Sequence, residues 1–309
     1  MYQLTSARNR LIYLAQTPLA TRAFLRKVIK SDRTCTKIFH YSSKEIHQTY
    51  CLSQNKAEKL YRYLQQYQPN HDLLKRLAPF KVITIIDSDF PTILRYIPDP
   101  PVILYMLGRS DFIKQSPALA VVGTRNPSSL AKRNIYQLLK PLVDEGWILV
   151  SGMANGIDGY AHRLADYYQG KTIAVLAGGL HHPYPPEHLE LFQKLSTKHL
   201  VLSEYAPHLR PERYHFPERN RLISGLSFAT LVIEAKARSG SLITADQALE
   251  QGREVLAVPG NINTEQAKGT HHLIQNGAKL IQNTYDIIEE WEQSKQNWQQ
   301  LVSEKQPFC

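Results

Sequence analysis

From residue 80 onward the chain alternates short continuous apolar runs with segments whose apolar positions recur at helical spacing. The runs are "FKVITIID", "PVILYMLG", "ALAVVG", "WILVSG", "TIAVLAGG", "HLVLSEY", "FATLVIEA", "EVLAVPG" and "AKLIQN", each bounded by Gly, Pro or polar turns. Runs that are apolar on both faces are what parallel strands covered on both sides require. Between them, "LAKRNIYQLLKPLV" places Ile135, Leu138, Leu139 and Leu142 on one helical face, and "IDGYAHRLADYY" does the same with Ile157, Ala161, Leu164 and Tyr168. The pattern predicts an α/β fold with a doubly wound, mostly parallel sheet. Before "FKVITIID" the pattern is different. Residues 1–75 carry only helical periodicity, in "NRLIYLAQTPLATRAFLRKVIK" and "SQNKAEKLYRYLQQYQ", with Ser53 suited to open a helix. The expected organisation is a small helical domain over 1–75, an α/β domain over 76–285, and a C-terminal helix and tail over 286–309.

Length agrees, since 309 residues suit two domains at roughly 100 to 200 residues each. Lys and Arg exceed Asp and Glu by 37 − 27 = 10, and the pI near 9.4 raises nucleic acid as a partner. The cysteines Cys35, Cys51 and Cys309 are odd in number and lack paired spacing, which argues against a disulfide framework and for a reducing cytoplasm. No apolar run approaches the ~18 residues of a membrane span. The expectation is a soluble, cytoplasmic protein.

In doubly wound folds the working groups sit where strand carboxyl ends meet helix N-termini. In "VVGTRNPSS", Gly123 allows close backbone approach, Asn126 can cap the next helix with Pro127 in its first turn, and Arg125 projects beside free N–H groups that favour an anion. "SGMANGIDGYAH" opens a second loop with Gly152 and Gly156, but its spacing departs from a dinucleotide fingerprint. Asp158 and His162, four apart, can pair along that helix. "AGGLHHPYPPEH" brings His181, His182 and His188 close in sequence, yet three prolines and no neighbouring Cys argue against a zinc site. No metal and no cofactor is expected.

"HFPERNRLISGLSFATLVIEAKARSGSLITA" crowds cations at both ends of a buried run, with Arg219 and Arg221 before it and Lys236 and Arg238 after it. Ser239 or Ser241 can cap the following helix. Phosphate contacts explain such cations, with Asn220 and free N–H groups orienting them. Phe216 and Tyr214 offer faces on which bases can stack, which suits a single strand better than a duplex. In "VPGNINTEQAKGTHHLIQNGA", Lys268 precedes a helix start and can close the same anion site.

Taken in order, "GTRNPS", "SGMANGID", "GGLHHPYPPEH", "FPERNRLISGLS", "VIEAKARSGSLITA", "GREVLAVPG" and "GTHHLIQNGA" resemble the DNA-processing protein A (DprA or Smf) family over about residues 80 to 285. The resemblance implies an extended Rossmann-like domain beside a small helical, SAM-like one. It further implies a homodimer that binds single-stranded DNA without cofactor or covalent chemistry, protects incoming strands in natural transformation, and loads RecA recombinase. Matching motif positions carries over Arg125, Phe216, Arg219, Asn220, Arg221 and Lys236 as DNA-binding. Gly123, Ser151, Gly152, Gly156, Ser239, Gly240 and Ser241 would shape the pocket and supply backbone donors. Two departures stand out: His181 occupies a turn position where members often have Asp, and no winged-helix-like segment follows residue 285.

The alternative, from another class, is a nucleotide-processing enzyme of the phosphoribohydrolase type, with Arg125, Glu204 and Glu234 in catalytic parts. It lacks that family's "GGGxGTxxE" turn. An NAD(P)-dependent oxidoreductase lacks its fingerprint altogether.

Overall fold

The computed structural model describes residues 6–17, 19–66 and 76–303. The chain divides into two compact units, one formed by residues 1–90 with 101–104 and the other by 91–100 with 105–309.

The first unit contains α1 (Ala7–Leu14), α2 (Arg22–Ser31), α3 (Ser43–Tyr50), α4 (Gln54–Gln65) and β1 (Lys81–Thr84). Each helix starts on a hydroxyl that accepts a free backbone N–H: Ser6, Thr21, Ser42 and Ser53. Ser42 and Glu45 complete a reciprocal capping box on α3. The apolar faces meet in a core of Leu11, Phe24, Val28, Ile46, Tyr50 and Leu60. The bridge "PNHDLLKRLAP" lies mostly outside the described residues.

Each of the nine apolar runs forms a strand. After β2 (Ile103–Gly108) the chain continues through β3 (Ala118–Val122), α5 (Ala131–Asp144), β4 (Ile148–Ser151) and α6 (Ile157–Tyr167). It then runs through β5 (Lys171–Leu176), α7 (Leu189–Lys198), β6 (Leu200–Ser203), α8 (His215–Gly225) and β7 (Ala229–Val232). Last come α9 (Gly240–Glu250), β8 (Glu254–Ala257), α10 (Lys268–Gln275), β9 (Lys279–Leu280) and α11 (Thr284–Ser303). The order β2-β6-β5-β4-β3-β7-β8-β9 is parallel throughout except where β2 runs against β6. The central strands are buried along their whole length, as their unbroken apolar runs require. Ending the second unit, α11 seats Trp291 edge-on against Trp147 and Phe228, with ring centroids 6.1 and 5.1 Å away. Residues 304–309, including Cys309, lie outside the described residues.

Three local expectations are corrected. Asn126 does not cap α5, which begins only at Ala131 with no side-chain cap, because Ser128 is drawn to the neighbouring strand: its N–H and hydroxyl both donate to Glu234. Asp158 and His162 do not pair either. Both are buried on α6, whereas Leu164 and Tyr168, expected in the core, are half-exposed. His162 Nδ1 lies 2.7 Å from Thr172 Oγ1, whose own proton goes to the Leu149 carbonyl at 2.7 Å, so the imidazole must be the donor. Its Nε2, left as the acceptor nitrogen, has no hydrogen-bond partner among the described residues. Burial accordingly pushes the imidazole down to about 3.

Two predictions arise here. Arg221 is buried between Glu204 (2.6 Å) and Asp99 (3.0 Å), joining α8 to the end of β6. Arg221→Ala should cost about 3–5 kcal/mol, because it strands a buried carboxylate; urea unfolding followed by circular dichroism measures it. The native state binds fewer protons at His162 than the unfolded chain, so its contribution is full above the unfolded value of 6.5 and is lost as pH falls toward about 3. Stability should therefore decline on acidification from pH 7 to 5, and more shallowly in His162→Gln, as read from urea midpoints across that range.

Candidate functional site

The strand order reverses direction at β3, which has β4 on one side and β7 on the other. Connections leave such a point toward opposite faces and open a crevice at the strand carboxyl ends. A cavity of about 610 Å³ lies there. Its walls come from the loops after β3 (Gly123 to Asn126), after β4 (Ala154, Asp158), and after β7 (Lys236 to Ser241), together with the start of α8.

Close approach of these loops fixes two glycines. A Cβ on Gly123 would sit 2.5 Å from the Ile157 side chain and 2.9 Å from the Glu234 carbonyl. Gly156, at φ +79°, turns the chain into α6 against the Thr124 carbonyl, which a Cβ would approach to 2.3 Å.

At the base of the site is Arg219, 5% exposed. Its guanidinium donates to the carbonyls of Gly152 (2.6 Å) and Val175. Asp158 supplies the opposing charge while accepting N–H bonds from Gly152 (3.1 Å) and Ala154 (3.3 Å). Burial pushes Arg219 down to about 10, partly offset by Asp158, so it stays charged at neutral pH. The same burial raises Asp158, against the pull of Arg219 and the backbone donors.

Phe216 stands above this base. Its ring lies 5.7 Å from the Arg125 guanidinium and 5.9 Å from that of Arg219, and Tyr184 meets it edge-on at 5.6 Å. A smaller recess of about 40 Å³ adjoins it, bounded by Tyr184, Pro185 and Gly178. Around the cavity, Arg125, Arg213, Lys236 and Arg238 are exposed, and among the described residues none forms an ion pair. The N-terminus of α9 points its free N–H groups here too, with Ser239 as its cap accepting from Ser241.

The sequence-predicted residues thus divide. Gly123, Arg125, Phe216, Arg219, Asn220, Lys236, Ser239, Gly240 and Ser241 line the main cavity, and Gly152 lines the recess. Four lie elsewhere. Gly156 is at the turn into α6, against the Thr124 carbonyl, and lines neither. Arg221 faces away from the cavity, into its buried pairs with Glu204 and Asp99. Ser151 is fully buried and donates to the Val121 carbonyl at 2.6 Å, tying β4 to β3. Lys268 opens α10 and pairs with Glu265. Glu204 and Glu234, the carboxylates of the enzyme alternative, are held by Arg221 and Ser128 and do not line the cavity. Tyr214 packs edge-on against His215, also outside it. His188 is buried with Nδ1 2.9 Å from the Met153 carbonyl, and His181 is exposed.

Sequence reasoning missed Tyr184, Arg213 and the wall formed by Ile243 and Thr244. Tyr184 had a signal in the proline-rich "HHPYPP", where a rigid turn presents one aromatic. Arg213 had none, as one more arginine in a polar stretch.

Known proteins share this fold. The family model for DNA recombination-mediator protein A matches residues 81–292. DNA processing protein DprA of Bacillus subtilis (strain 168) is 43% identical over 248 residues, covering 79% of this chain and 83% of that protein. The Streptococcus pneumoniae protein of the same name is 44% identical over 220 residues, 71% of this chain and 77% of the relative. The X-ray structure of DNA processing protein A from Streptococcus pneumoniae superposes with a TM-score of 0.80 at 37% identity, over 90% of this chain and 95% of that one. DNA processing protein A from Helicobacter pylori, whose structure was described for its single-stranded DNA binding mode, gives a TM-score of 0.63 at 29% identity over 70% of this chain and 97% of that one. With the family model covering more than half of the sequence and two relatives above 40% identity over most of their length, the chain belongs to the DNA recombination-mediator protein A family.

Proposed function

We propose that this protein binds single-stranded DNA in the crevice at the carboxyl ends of β3 and β7, protects incoming strands in natural transformation and loads RecA recombinase onto them. One observation carries the reading: four exposed cations, Arg125, Arg213, Lys236 and Arg238, surround a cavity whose wall includes the half-exposed ring of Phe216. Cations with solvated heads exchange counterions for phosphates at little cost. An aromatic among them stacks an unpaired base of any identity. The α9 N–H groups, Asn220 and Ser239 add neutral donors that orient a phosphate. The Helicobacter pylori relative's single-strand binding supports the same ligand.

In this reading binding needs no cofactor and no covalent chemistry, and the protein acts as a mediator rather than an enzyme. A homodimer would place two such crevices on one strand, and the recombinase would take the strand over from them. The protein works in the cytoplasm, where RecA and incoming DNA meet.

Affinity for a single-stranded oligonucleotide should fall with salt, with a log–log slope of about −0.7 per phosphate contact. In Arg125→Ala/Lys236→Ala the slope should be shallower by about 1.4 and the affinity at least tenfold lower, both read by fluorescence anisotropy across a salt series. Salt-independent binding, or equal binding by both proteins, would remove the cavity reading. Phe216→Ala should lose about 1–3 kcal/mol of single-strand affinity with an unchanged salt slope, since it removes a stacking face and no charge. Phe216→Trp should retain binding. Isothermal titration with a short homothymidine strand separates the two variants.

A further inference from the structure

The net charge is distributed very unevenly along the chain. Residues 1–75 hold 13 Lys and Arg against 4 Asp and Glu, a net +9, whereas residues 76–309 hold 24 against 23, a net +1. The crevice is therefore basic by local arrangement within a nearly neutral segment, and almost all of the protein's excess positive charge belongs to the helical segment.

Its few described carboxylates are committed to local structure. Asp32 accepts the backbone N–H groups of Thr34 (2.9 Å), Thr36 (2.7 Å) and Lys37 (2.9 Å), and these bonds hold its carboxyl well below the ordinary range although burial opposes them. Glu45 closes the capping box of α3, and Glu58 pairs with Arg62. Lys30, Arg33 and Lys37 remain exposed, and among the described residues none has a carboxylate partner. Asp32 gathers them, because it ends α2 and folds the turn through Lys37 back onto that helix end. Lys27, one turn before Lys30, donates to the Tyr50 carbonyl at 3.1 Å and adds to the same excess. An ordinary solvated face mixes both signs of charge. This one does not.

We infer that the helical unit is a second nucleic-acid contact, binding the phosphodiester backbone through Lys30, Arg33 and Lys37. An anionic membrane offers similar charge but fits worse: the apolar side of α2, Phe24, Leu25, Val28 and Ile29, is buried in the unit and leaves nothing to insert between lipids. The three cations stand without an exposed large aromatic among residues 22–37, so the contact has charge to offer phosphates and no face to offer bases. It accepts duplex as readily as single strand, unlike the crevice. The inference rests on the proposed nucleic-acid role only in its choice of ligand, and engages a different surface.

The test uses the full chain, with Lys30→Gln/Arg33→Gln/Lys37→Gln beside Arg125→Ala/Lys236→Ala, on a blunt duplex and on a single strand across a salt series. Thermal melting first establishes that both variants fold. The triple variant should lose at least tenfold in duplex affinity, with a salt slope shallower by about 2–3. Arg125→Ala/Lys236→Ala should keep its duplex binding. Absence of duplex binding by the wild type, or an unchanged slope in the triple variant, overturns the inference. So does a triple variant that loses binding to phosphatidylserine vesicles while keeping the duplex. Single-strand binding by Arg125→Ala/Lys236→Ala judges the crevice separately, so the two readings fail independently.

Discussion

The crevice depends on one buried residue pair and the glycine between them. Gly152 donates its N–H to Asp158 and receives Arg219 on its carbonyl, so one residue serves an anion and a cation at once. A Cβ on Gly152 would lie 2.6 Å from the guanidinium carbon, and no side chain fits there. Through this junction the ends of β4 and β5, the start of α6 and the start of α8 share one set of hydrogen bonds. Removing either charge would leave the other uncompensated in a low-dielectric site, a loss of several kcal/mol. Phe216 takes its place from this base, as does the register of α8 on which Asn220 faces the cavity.

The cations of "HFPERNRLISGLSFATLVIEAKARSGSLITA" therefore do two kinds of work. Arg219 and Arg221 are buried, and each is held by backbone carbonyls or carboxylates. Their forked, permanently charged heads suit such multi-partner sites better than a lysine would. Lys236 and Arg238 follow β7 into an exposed loop, and Arg125 does the same after β3. Exposure decides what each can do: a buried guanidinium already spent on the fold has little to give a phosphate, whereas a solvated one exchanges only water and counterions.

Most of the fold could be read from the sequence because β3 to β8 are buried on both faces, and short unbroken apolar runs between polar turns suit little besides strands covered on both sides. The crevice could be read as well, since loops after parallel strands converge at a strand-order reversal. What could not be read was the direction of each side chain. "FPERNR" opens α8, and on a helix residues two apart point to nearly opposite sides, so Arg219 and Arg221 reach different surroundings. Asp158 and His162 share a helix face as their spacing implies, but it is the buried face, where backbone donors and Thr172 compete for them. Glu234 drew attention as a strand-end carboxylate. Its partner, Ser128, is 106 residues away in sequence, which no local pattern reveals.

In duplex DNA the base faces are stacked on one another, and a protein at the surface meets chiefly phosphates. An aromatic inside a concave site contributes nothing to such a ligand. With a single strand the bases are available, and a ring such as Phe216 adds about 1–3 kcal/mol per stacked base, roughly a 5- to 150-fold preference. Charge by itself does not distinguish the two ligands, so the preference for single strands comes from the shape of the crevice and its aromatic side chains, which admit an unpaired strand and keep a duplex off the cations within. A segment that bears almost all of the net charge and no exposed aromatic on its basic turn lacks that preference for the same reason. Charge sets how strongly such a chain holds nucleic acid, and the depth at which an aromatic is set decides which form it holds.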